Sequence, residues 1–182
     1  MKTYLLRITM IIATCTLCVS CIASPKRGML KNTLATQKEG YEKIINDSVA
    51  SIIMNAKKIV CELQSNNPDN KTMKDSVKIV NRDLRAVIKY LFFDEENFKS
   101  DDVVYGVFQS WVCYKFILSK KKIVYLEMDF GLRKWRLLDK DKNQLCTQDM
   151  KKNNMQFLRL TRLIFPEDKI LKILKDNLSE TI

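Results

Sequence analysis

Apolar residues at Tyr41, Ile44, Ile45, Val49, Ile52, Ile53, Ala56, Ile59, Val60 and Leu63 recur in steps of three and four. That spacing lines one face of a helix and predicts a single long amphipathic segment. Residues 64–70, Gln-Ser-Asn-Asn-Pro-Asp-Asn, break it with turn chemistry. A second helix is expected from Thr72, where Asp75 three residues on forms a variant capping box. Its stripe would be Met73, Val77, Val80, Leu84, Val87, Ile88 and Leu91. A short connection between two such helices predicts an antiparallel helical hairpin.

From residue 103 the composition turns β-branched and aromatic. In IVYLEMDF, Val124, Leu126, Met128 and Phe130 alternate with Tyr125, Glu127 and Asp129, the period-two signature of a half-buried strand. Gly131 punctuates it, RKWRLL continues as a third strand, and DKDKNQ makes a polar turn before Leu145 and Cys146. Together these predict an antiparallel meander. Residues 104–118 fit a strand better than a helix, although Val104, Phe108, Trp111, Lys115 and Leu118 also trace a helical face, and 154–165 fit either. Pro166 followed by Glu167 and Asp168 opens a final helix with Ile170, Leu171, Leu174 and Leu178 as its buried stripe. The expected fold class is therefore α+β: an N-terminal helical hairpin, a small antiparallel β-meander and a C-terminal helix.

The first twenty residues change the picture. Lys2 and Arg7 precede an apolar run from Ile8 to Val19, the pattern of a secretory signal peptide, and the run is short for a membrane span. Val19-Ser20-Cys21 resembles the end of a bacterial lipobox, with Leu17 four residues before the cysteine and Cys18 in the place three before. By that resemblance Cys21 is the lipidated first residue of the mature chain. Residues 22–36 then form a basic tether and 37–182 one α+β domain. The same resemblance implies outer-membrane anchoring, because Ile22 and Ala23 follow the cysteine without the aspartate that retains such proteins in the inner membrane. It also implies a periplasm-facing domain, since the tether is basic where surface-exported lipoproteins of Bacteroidota carry acidic residues. A second route stays open: Cys21-Ile22-Ala23 reads as a small-x-small cleavage site that would release a soluble secreted protein.

Removing the leader leaves 162 of the 182 residues, enough for one buried core, and 46% hydrophobic with 29% charged residues is a globular composition. Histidine is absent, which removes the commonest general base and metal ligand. Cys61, Cys113 and Cys146 match no metal motif or disulfide framework. They are expected to be buried thiols, with one disulfide allowed. No enzymatic signature, cofactor or metal site is read.

The net charge of +11 is uneven: residues 103–182 carry 16 Lys and Arg against 9 Asp and Glu, whereas residues 22–102 carry 14 against 12. Lys120, Lys121, Lys122, Arg133, Lys134 and Arg136 form the candidate patch for an anionic partner, with Lys151 and Lys152 beyond them. For an exported chain that partner is an envelope protein or an anionic glycan or lipid rather than nucleic acid. Trp111, Tyr125 and Trp135 are candidate stacking aromatics, against the ordinary use of aromatics as core. Glu127 and Asp129 share a strand face about 7 Å apart. That spacing suits a glycosidase pair, but cross-strand ion pairs with Arg133 and Arg136 explain it more simply. Asp139, Asp141 and Asn143 start like a calcium loop, yet Gln144 and Met150 stand where glycine and glutamate are needed, so an exposed turn is expected.

Overall fold

The computed structural model describes residues 41–64, 77–98, 106–150 and 153–179, all within the compact unit Thr36–Ile182. The leader, Cys21, the 22–36 tether, most of the 64–70 break, the Thr72 capping box, residues 103–105, Lys151 and Lys152 lie outside them. The described elements run α1 (Asp47–Asn55), β1 (Lys58–Leu63), β2 (Val77–Ile79), α2 (Arg82–Phe92), a 3₁₀ turn (Glu95–Phe98), β3 (Val112–Ser119), β4 (Lys122–Asp129), β5 (Lys134–Leu138), β6 (Gln144–Asp149), α3 (Asn154–Ile164) and α4 (Lys169–Ser179). The six strands make one antiparallel sheet in the order β2-β1-β3-β4-β5-β6. The class is α+β, with a β3–β6 meander and a terminal helix as the pattern predicts.

The helical hairpin is replaced. α1 stops at Asn55, and Lys58–Leu63, expected as its continuation, is a strand. Ile59 and Leu63 satisfy a helical stripe, but Ile59, Cys61 and Leu63 equally satisfy period two. Pairing of β1 with β3 decides between them, because Cys61 then faces Tyr114 in the core. Val77–Ile79, expected inside the second helix, pairs with β1 instead. That helix begins at Arg82, where the Asn81 side chain accepts the Leu84 N–H at 2.9 Å. The last helix starts three residues after Pro166 because the Asp168 carboxylate accepts the Leu171 N–H at 2.8 Å and makes Asp168 its cap. Residues 154–164, open in the sequence, are helical.

Alternation along the strands puts Ile59 and Cys61 of β1, Val112, Tyr114 and Phe116 of β3, Val124, Leu126 and Met128 of β4, and Trp135 and Leu137 of β5 on one buried face. α2 and α3 pack on this face, and α4 lies against α3. Tyr114 donates to or accepts from Thr161 of α3 at 2.6 Å and stands beside Phe157. Phe92 of α2 and Phe98 meet the Trp135 ring edge to face, at 5.3 and 5.6 Å between centroids. Helix ends are closed by side chains from neighbouring elements. Lys89 of α2 donates to the Met54 and Ala56 carbonyls at 2.8 and 2.9 Å, and Arg85 donates to Lys57 O, satisfying the open end of α1. Burial, with the charge of Arg85 nearby, lowers the Lys89 pKa.

Asn97 does the same for α2. Its side-chain amide donates to the carbonyls of Leu91 and Phe92, its backbone carbonyl accepts the Trp135 indole N–H at 3.2 Å, and its side-chain oxygen accepts from Asn153 at 3.3 Å. Replacing Asn97 with Ala leaves the Leu91 and Phe92 carbonyls and the Asn153 amide without this side-chain partner, keeps the backbone bond to Trp135, and is expected to cost about 1–3 kcal/mol. A urea titration with unchanged m-value is the check; a loss below about 1 kcal/mol would show the network to be dispensable.

Candidate binding face of the sheet

Period two has a second consequence. Residues alternating with the core-facing ones point to the other face of the sheet, away from α2 and α3. The strand registers align them in rows. One row reads Ile79, Val60, Lys115, Tyr125 and Leu138. The next reads Val77, Glu62, Cys113, Glu127, Arg136 and Thr147. Val77 and Ile79, on the short edge strand β2, are 51% and 68% exposed.

At the centre lies Glu127, whose side chain is only 6% exposed. Arg136, directly opposite on β5, donates from both Nε and Nη2 to its Oε2 at 2.7 Å. Gln64 Nε2 reaches Oε1 at 3.5 Å, and Lys142 Nζ stands 3.8 Å from the same oxygen. Each cation here is also seated on an aromatic ring. Arg136 lies 4.4 Å from the Phe108 centroid, and Lys142 and Lys115 lie 3.6 and 5.3 Å from the Tyr125 centroid. Aromatic seating restricts side chains that would otherwise lose rotamer entropy on meeting a ligand.

The expected ion pairs divide. Glu127 pairs with Arg136 as the cross-strand geometry predicts. Asp129 does not pair with Arg133: its carboxylate accepts the backbone N–H groups of Gln109 at 2.7 Å and Leu132 at 2.9 Å, closing the β4–β5 turn. Arg133 sits in that turn at φ 54° with its side chain exposed. A carboxylate locked by Arg136 and another by two amides make a structural pair rather than an acid and a base. The DKDKNQ segment is an exposed turn organised by Asp139. Its Oδ1 accepts from the N–H groups of Asp141 and Asn143 and its Oδ2 from the Asn143 amide. Among the described residues no group of three or more Cys, Asp or Glu is placed to hold a metal ion.

The sequence-derived patch is spread out. Lys120 and Lys121 form the β3–β4 turn and Lys122 opens β4, while Arg133 in the β4–β5 turn and Lys134 at the start of β5 stand at the other end of the eight-residue strand β4, about 23 Å away by strand rise. Arg136 lies between, tied to Glu127. Of the three aromatics, Trp135 is 1% exposed in the helix-side core, Tyr125 carries two lysines over its ring, and Trp111 stands half-buried before β3. Lys115 and Lys142 carry no sequence signal as site residues. Lys115 shares a strand face with Cys113, but Lys142 reaches the face only because a turn folds back on the sheet.

The three described cysteines are free thiols: Cys61 and Cys113 are buried and Cys146 is half-buried. Strand parity puts Cys61 and Cys113 on opposite faces of the sheet. Burial pushes the Cys113 thiol up to about 12 and Cys146 to about 11, and raises Cys61 as well. At Cys113 the charge of Lys142 works in the opposite direction and that of Glu127 in the same one. Such thiols stay protonated and are poor nucleophiles near neutrality.

No family model, curated protein or solved structure matches the chain.

A thiol whose pKa is raised on folding favours the folded state while it is protonated. That contribution is complete below the ordinary thiol pKa near 9 and fades as pH climbs toward about 12 at Cys113. Urea stability is therefore expected to decline above pH 9, and Cys113→Ala to flatten that decline by up to about 1.4 kcal/mol per pH unit. Parallel pH profiles for the two proteins would show instead that Cys113 is not the titrating group.

Proposed function

We propose that the protein is an exported lipoprotein, anchored through Cys21 and tethered by residues 22–36, whose α+β domain acts as a binding module for an acidic partner protein of the cell envelope. The observation that carries the binding role is the second face of the sheet. It exposes Val77 and Ile79 in the same rows as Lys115, Arg136 and the neighbouring Lys142, a mixture of apolar and cationic groups suited to an acidic protein surface with apolar residues beside its charges. The anchoring role rests on the charged, apolar and Ser-Cys segments of the leader. Among the described residues no helix is long and apolar enough to cross a membrane.

The residues Cys21-Ile22-Ala23 favour one alternative: cleavage after Ala23, giving a secreted inhibitor, effector or signalling protein that uses the same face. Intact mass after expression in a Gram-negative host separates the two. The anchored form is expected in the membrane fraction, beginning at Cys21 with added diacylglycerol and acyl chains, and Cys21→Ala abolishes it. A soluble mass beginning at Ser24 in both proteins would establish the secreted form. For the binding role, a photo-crosslinking residue at Ile79 is expected to yield one discrete protein adduct in the source cells, while the same residue at Leu163 on α3, equally exposed, yields none. Equal labelling from both positions would remove the sheet face as the interface.

A further inference from the structure

Lys142 occupies a backbone position that suits glycine or asparagine. Asp139 and Asn143 close the β5–β6 turn: the Asp139 N–H donates to Asn143 O at 2.9 Å and the Lys142 N–H donates to Asp139 O at 3.1 Å. The three hydrogen bonds to the Asp139 carboxylate brace the same loop. The loop so formed holds Lys142 at φ 68°, a left-handed conformation that costs a residue with a Cβ more than it costs glycine. The lysine side chain nevertheless returns over the sheet and sets its ammonium on the Tyr125 ring, 3.6 Å from the centroid and 3.8 Å from Glu127 Oε1. Strain held by a braced loop and spent on placing one charge points to use of that charge.

The charge has company. Lys115, the cross-strand partner of Tyr125, approaches the same ring, and Arg136 stands one row away. Three cations thus face Glu127 and the exposed Glu62. Arg136 is committed to Glu127, whereas the Lys142 contact with Glu127 exceeds hydrogen-bond length and, among the described residues, the contact shown for Lys115 is with the ring. Resting on the proposed binding role, we infer that Lys115 and Lys142 form a subsite for a side-chain carboxylate of the partner protein.

The rows add a second requirement on that partner. Ile79 lies three strands from Tyr125, roughly 14 Å at the usual strand spacing. A segment whose acidic residue meets the lysines would place an apolar residue on Ile79 and Val60. In extended chain that separation is about four residues. An isolated anionic sugar or lipid head group would leave the apolar end of the row unused.

The test uses the full chain in detergent micelles and a fluorescein-labelled extended peptide with two glutamates at one end and Ile-Val four residues away, read by anisotropy. Lys142→Gly is expected to weaken binding about fivefold and to leave Tm unchanged or higher, because it relieves the backbone. Lys120→Gln, which removes the same charge from the distant β3–β4 turn, is expected to change affinity less than twofold. Equal losses in the two variants would reduce the subsite to general electrostatic attraction, and unchanged binding in Lys142→Gly would overturn it. Tighter binding of a polyuronate than of the peptide would assign the lysines to a glycan. If Lys142→Gly fails to act while the Ile79 cross-link persists in cells, the binding face stands and the subsite falls. Loss of both removes the face itself.

Discussion

Tyr114 stands at the middle of the central strand β3, its ring against Phe157 and its hydroxyl 2.6 Å from Thr161 on α3. Thr161 in turn donates to the Phe157 carbonyl at 2.8 Å, so the fully buried phenol meets a hydroxyl that is itself anchored within the helix. An unpaired phenol at that depth would be costly, and the pairing therefore fixes α3 against the sheet in one registration. Burial of Tyr114 also sets the parity of β3. Once residues 112, 114 and 116 face the helices, residues 113, 115 and 117 must face the other way, and antiparallel pairing carries that assignment across β1, β4 and β5. The cationic face is thus a by-product of the core: Lys115, Glu127 and Arg136 stand together because their neighbours are buried.

Polar groups inside the helical layer act as closures. Asn97, 1% exposed, joins the end of α2 to Trp135 and to Asn153 before α3. Lys89 and Arg85 close α1 from α2. Each links two elements distant in sequence, so the helices are held by their ends as well as by apolar contact. On the opposite face Arg136 is held by Glu127, whereas Lys115 and Lys142 rest on the Tyr125 ring. That arrangement keeps ammonium protons available while limiting the motion of the side chains that carry them.

Much of the meander was legible because its strands are half-buried. IVYLEMDF alternates cleanly, and the Asp-Lys-Asp-Lys-Asn turn announces itself chemically. The Glu127–Arg136 pair followed from that alternation. The segment 41–63 misled for an equally physical reason: Ile59, Val60 and Leu63 extend a helical stripe and also fit a strand, and no local term separates the two. Pro166 pointed to a helix start that Asp168, the better cap, provides three residues later. The basic residues 120–122 and 133–136 are close in sequence, yet strand β4 holds them at opposite ends.

By itself the sequence determined the α+β class, the order of the meander strands and the charge excess of the second half, since each depends on composition or on periodicity within a dozen residues. Only the tertiary structure decided that 58–63 and 77–79 are strands, that Asp129 caps a turn while Glu127 holds Arg136, and that Lys142 comes to rest on Tyr125. Most of the contacts behind those outcomes join residues nine or more apart, and a contact closed by the fold leaves no periodic trace along the chain.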